Sequence, residues 1–163
     1  MRIKWFSLIR ITGLLFVLLY HFFQTIFPGG FFGVDVFFTF SGFLITALLI
    51  EEFSKNHEID LIGFFRRRFY RIVPPVVLMV LVTMPFTFLV RQDYVAGIGG
   101  QIAGVLGFMT NFYELLTGGS YESQFIPHLF VHNWSLAVEV HYYILWGLAV
   151  WFLSKQSRSN GQL

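Results

Sequence analysis

The chain has 163 residues, 56% of them hydrophobic and only 12% charged, with 22 phenylalanines and a formal net charge of +2. A soluble domain carries about a quarter charged residues, so a mean hydropathy of +0.67 points to an integral membrane protein. The small net charge argues against nucleic acid as a partner, and a sequence with no cysteine excludes a disulfide framework, a thiolate metal site and a thiol nucleophile.

Apolar stretches near the length of a bilayer core recur along the chain. The first, residues 6–27, closes at "PGG"; it does not read as a cleavable signal, because "HFFQTIFPGG" has no small-x-small cleavage pattern. The second and third run over 32–50 and 72–90, and a further long one over 134–153. Between them, 95–112 is diluted by Gly97, Gly99, Gly100, Gly104, Gly107, Gln101 and Asn111. It either spans or is re-entrant and sheltered by protein. The tail, 154–163, is polar and expected to fray, which leaves 1–153 as the membrane part.

The expected fold is all-α, a polytopic transmembrane helical bundle of four to five apolar segments. Arg2, Lys4 and Arg10 precede the first segment, and Lys55, Arg66, Arg67, Arg68 and Arg71 separate the second from the third. Lys and Arg collect on the cytoplasmic side, so the N-terminus is expected in the cytoplasm of a cell-membrane protein. Lys155 and Arg158 then also fall inside, provided that 95–112 does not cross.

Four stretches keep polar groups where lipid disfavours them. In "LIRITGLLFVLLYHFF", Arg10 and His21 are eleven positions apart, about 16 Å and three turns along a helix, on nearly one face. One reading makes Arg10 a snorkelling anchor and His21 an interfacial residue. The other makes them the lining of a polar path, since intramembrane ionisable groups mark sites and histidine exchanges protons near neutral pH. In "GGFFGVDVFFTFSGFLIT", Asp35 either orients a charged partner such as His21 or Arg10, or caps a helix, and Ser41 has no nucleophile context. In "FFRRRFYRIVPP", Arg68 and Arg71 share a face three residues apart. Guanidinium forks suit phosphate, and a basic cluster equally suits anionic lipid. In "HNWSLAVEVHYYILW", Glu139 follows Ser135 by four and sits in or near the apolar region, and the histidine spacing is no metal pattern.

In this order the four blocks resemble the membrane acyltransferase 3 family, in wording closest to the Gram-positive branch that O-acetylates peptidoglycan. The chain departs from the usual family pattern at Val140 and His141. The resemblance implies a membrane acyltransferase that passes an acetyl group from acetyl-CoA, with no tightly bound cofactor, to a hydroxyl of a cell-surface glycan. It makes Arg10, His21, Asp35 and Glu139 the catalytic candidates and Arg68, Arg71 and Ser41 the binding ones. It also implies that the chain is the N-terminal half of a domain of roughly ten spans, each an apolar helix of about 20 residues, with the other half or an extracytoplasmic esterase-like domain as partner. A carrier or channel is the competing class, because transporters also place charged groups at mid-membrane.

Overall fold

The computed structural model describes residues 4–23, 25–89, 92–117 and 128–160. The described residues are helical, with no strand among them, and the chain divides into two compact units, Met1–Ile59 and Asp60–Leu163. In a bilayer, backbone N–H and C=O groups have no water to bond, so helices that satisfy their own backbone are the natural solution.

The first unit is a hairpin of α1 (Lys4–Phe22) and α2 (Phe32–Asn56), joined through a 3-10 turn at Pro28–Phe31. The "GG" and "G" of "PGGFFG" stand where the two backbones meet. A Cβ on Gly30 would lie 2.4 Å from the Phe16 carbonyl oxygen, and one on Gly33 would lie 2.5 Å from that of Gly13. Small residues that allow such an approach drive helix association in membranes, where burial of apolar surface supplies little. Ser41, Ile45 and Leu49 form a buried stripe on α2 at four-residue spacing.

The second unit holds α3 (Leu61–Thr83), α4 (Ile98–Leu106), α5 (Thr110–Thr117) and α6 (Trp134–Asn160). Asp60 starts α3: its Oδ1 accepts from the Gly63 N–H at 2.9 Å. The inward stripe of α3 reads Phe64, Arg68, Ile72, Val76, Val80, four residues apart. Phe64 packs toward Gly147 and Arg68 toward Tyr143, while Val76 and Val80 cluster with Val105 and Phe130. Increasing numbers on α3 therefore meet decreasing numbers on α6, and the two helices are antiparallel.

Between them lies a short helical hairpin. α4 has nine residues, about 14 Å, half of a ~30 Å hydrocarbon core. The chain reverses at Phe108, held at φ +54°, with the Met109 N–H bonded to the Gly104 carbonyl at 2.7 Å. α5 then runs back along α4. Gly97, Gly100 and Gly104 make one face of the α4 region, and Tyr113 lies over it; its hydroxyl donates to the Gly97 carbonyl at 3.3 Å. The glycines that weaken 95–112 as a span are thus the seat of an aromatic ring. Gln101, 1% exposed, fastens the same hairpin. Its amide donates to the Tyr94 and Ala96 carbonyls, and its oxygen accepts from the Phe130 N–H.

Three helical runs are long and apolar enough to cross a membrane: Pro28–Asn56, Leu61–Leu89 and Val131–Ser157, with a shorter apolar run at Ile11–Phe22. Exposed Leu78, Leu81, Phe88 and Ile62 make lipid-facing surface. Two expectations are corrected. α3 begins at Leu61, eleven residues before 72, because the arginine block is itself helix behind the Asp60 cap, and Pro74 and Pro75 fall inside the helix. α6 continues to Asn160, through most of the stretch expected to fray; residues 161–163 lie outside the described residues.

The α1–α2 approach is testable by a pair of substitutions. Gly33→Ala should cost about 1–3 kcal/mol, the range for overpacking a close contact. Gly99→Ala, with nothing within 4 Å of the added carbon, should be neutral or stabilise by up to about 1 kcal/mol. Thermal unfolding in detergent checks both, and equal effects would refute the close approach.

Candidate functional site

α1 is continuous from Lys4 to Phe22, so Arg10 and His21 keep their single-helix register. The side chain of Arg10 lies outside the described residues. His21 sits exposed in the last turn, and its Nδ1–H donates to the Val17 carbonyl at 2.7 Å. That bond fixes the tautomer of the neutral ring and leaves the lone pair on Nε2. Tyr20 meets the imidazole edge-on at 5.5 Å. On the face expected to line a path, Leu14 is open, whereas Val17 is packed where a Gly33 side chain would be.

Asp35 is exposed in the first turn of α2, where the helix dipole favours a carboxylate. The helix begins at Phe32, so Asp35 is not its N-cap. Ser41 is 4% exposed on the buried stripe of the same helix.

In the second unit, Arg68 and Arg71 part company. Arg71 is exposed. Arg68 turns inward, its guanidinium carbon 5.6 Å from the Phe64 ring and 5.8 Å from the Tyr143 ring. The Tyr143 hydroxyl in turn donates to Glu139 Oε1. Two residues named from separate sequence blocks, Arg68 and Glu139, thus meet through one tyrosine. Stacking on aromatic faces is a property of guanidinium that lysine reproduces poorly. Together Arg66, Arg68 and Tyr143 border a cavity of about 790 Å³, otherwise lined by apolar side chains of α3 and α6 and by Phe108. It offers cationic groups beside a long apolar slot, a fit for an anionic molecule with an extended arm.

Sequence reasoning missed Tyr143, although its i, i+4 relation to Glu139 is the signal that would have found it. It also missed a second polar centre. Glu114, 6% exposed, accepts from His128 at 2.8 Å. Glu114 was legible only as a carboxylate in an apolar helix, and His128 carried no spacing signal.

Tyr143→Phe keeps the ring under Arg68 and removes the hydroxyl that reaches Glu139. Loss of a buried bond to a charged acceptor should cost about 1–3 kcal/mol, and Tyr143→Leu, which also removes the ring, should cost more. Melting in detergent should rank wild type above Tyr143→Phe above Tyr143→Leu; equal melting of all three would show that the tyrosine does not join the two helices.

Comparison with known proteins agrees with this architecture. The chain is 32% identical over 145 residues to O-acetyltransferase OatA of Staphylococcus aureus, with the same figures for strains NCTC 8325 / PS 47, COL and MRSA252. The match covers 89% of this chain and 24% of OatA, so the chain spans about a quarter of the length of these relatives. No solved structure matches it. The acyltransferase domain model matches residues 3–160, and the chain therefore belongs to the membrane acyltransferase 3 family.

Proposed function

We propose that this chain is part of a membrane O-acyltransferase that passes an acetyl group from acetyl-CoA at the cytoplasmic face to a hydroxyl of an extracytoplasmic glycan, with peptidoglycan as the acceptor. The observation that carries the reading is the Arg68–Tyr143–Glu139 contact beside the apolar cavity. Family membership and the O-acetyltransferase relatives support the reaction class.

In this reading Arg68 and Arg71 hold the donor phosphates through guanidinium forks, and the cavity takes the apolar part of the donor arm. Arg10 guides the donor end of α1. The Nε2 lone pair of His21 attacks the thioester carbonyl, the C–S bond breaks, and the thiolate leaves to take a proton from water. The acetyl group then sits on the imidazole, a recognised form of covalent catalysis, until the glycan hydroxyl receives it. Asp35 and Glu139 stabilise charge, and Ser41 packs within the hairpin.

The test is base-labile acetate on the cell wall of a strain whose only copy of the full-length protein is wild type or variant. His21→Ala and His21→Gln should both abolish the ester while the protein remains in the membrane. Near-normal ester in either would remove His21 from the chemistry. Replacing Arg68 and Arg71 together by Lys keeps charge and loses the fork, so acetyl-CoA use should weaken at least several-fold in membrane vesicles. Unchanged dependence on acetyl-CoA would reduce both arginines to anchors. A carrier without chemistry would leave wild-type and deletion walls alike in base-labile acetate.

A further inference from the structure

The transfer proposed above lacks one participant. A histidine whose Nε2 carries the acetyl group has no lone pair left for the proton of the incoming hydroxyl. We propose that His128, held by Glu114, is the general base that takes this proton, so that the start of α6 and the end of α5 form the acceptor side of the reaction. The proposal rests on the function given above.

The geometry is that of an oriented base. His128 Nδ1–H donates to Glu114 Oε2 at 2.8 Å, which places the neutral ring's lone pair on Nε2. The side chains are 19% exposed for His128 and 8% for Glu114: the carboxylate is enclosed while the imidazole keeps an opening. A buried carboxylate that fixes the tautomer and supports the imidazolium is how an ordinary histidine becomes an efficient base. Tyr113 tilts against the ring at 5.6 Å, and its own position is set by the glycine face of Gly97, Gly100 and Gly104. The ring is thus held by a short bond on one side and an aromatic on another.

The polar groups around the pair divide into two kinds. Gln101 spends its amide on two carbonyls and its oxygen on a backbone N–H, as a framing group should. Thr110, one turn before Glu114 on the same face, is 2% exposed, and its hydroxyl has no partner among the described residues. Buried polar groups are nearly always paired, and exceptions concentrate where a molecule has work to do. A seam built only to clamp α5 onto α6 would have no use for that spare hydroxyl. The pair also lies at the opposite end of the α3–α6 packing from Arg68: Phe130, two residues after His128, clusters with Val76 and Val80, whereas Arg68 meets Tyr143, nine residues into α6. Donor and acceptor enter from opposite faces in the proposed reaction, and the two centres are separated in that sense.

The step balances as follows. The glycan oxygen forms a bond to the acetyl carbon, the bond from that carbon to the His21 nitrogen breaks, and the hydroxyl proton passes to His128 Nε2. His21 returns to its neutral form, and the imidazolium at His128, paired with Glu114, releases its proton to water.

The experiment uses full-length protein in membrane vesicles, with acetyl-CoA as donor and chitopentaose as the glycan probe, and reads thiol release and ester formation side by side. His128→Gln should keep thiol release near the wild-type rate and lower ester formation about 100-fold or more, the ordinary worth of a general base. Loss of both in parallel, or of neither, would overturn the assignment and leave the pair a structural clamp. A second readout does not depend on that variant folding. Glu114 and Tyr113 are the ionisable side chains that touch the His128 ring among the described residues, and removing the carboxylate makes the imidazolium less stable. The acid limb of ester formation should therefore move to lower pH in Glu114→Gln, and an unmoved limb would overturn the proposal. Absence of any ester with the wild-type protein would instead sink the acetyltransferase reading and this assignment with it.

Discussion

Arg68 occupies a position that helix packing reserves for apolar side chains. The stripe on which α3 meets its neighbours steps by four from Phe64 to Val80, and a guanidinium stands second in it. A charge there is tolerated because the group is planar, weakly hydrated and flanked by the faces of Phe64 and Tyr143. The rest of the unit follows from this demand. α6 must present an aromatic residue at 143, a carboxylate one turn earlier for its hydroxyl, and a glycine one turn later so that Phe64 can come close.

Glycine does a related service in both units. In the hairpin of α1 and α2 it lets two backbones touch; in α4 it receives a tyrosine ring. Neither use is about left-handed backbone, and neither resembles the flexible linkers that glycine-rich segments often form. Where surrounding lipid is as apolar as the side chains, a cleft of missing Cβ atoms is one of the few ways to gain close packing.

Much of the fold was legible from hydropathy and charge. The apolar runs became α1, α2, α3 and α6, and the glycine-rich stretch proved too short to cross. The arginine block misled because charge reads as loop; the cap that starts its helix, Asp60 with Gly63 three residues on, is a weaker signal than four arginines. At the site, the sequence named Arg68 and Glu139 but not their meeting, since proximity between α3 and α6 is a tertiary fact. It also paired Arg71 with Arg68 by spacing alone, and three residues along a helix is 300° of rotation, enough to leave one inside and the other exposed. Glu114 and His128 lie fourteen residues apart on either side of a turn, and no periodicity connects them.

Pro74 and Pro75 have an effect on hydration. Lacking N–H groups, they give nothing to the carbonyls of Tyr70 and Arg71 one turn earlier. In hydrocarbon such oxygens must find other donors, and both prolines are exposed on α3. The helix therefore carries a thirst at the level of its arginines: a pair of acceptors that draws water, or the donor groups of a bound molecule, toward a depth where the surrounding side chains repel it. The arginine end of α3 is wetted by its own backbone.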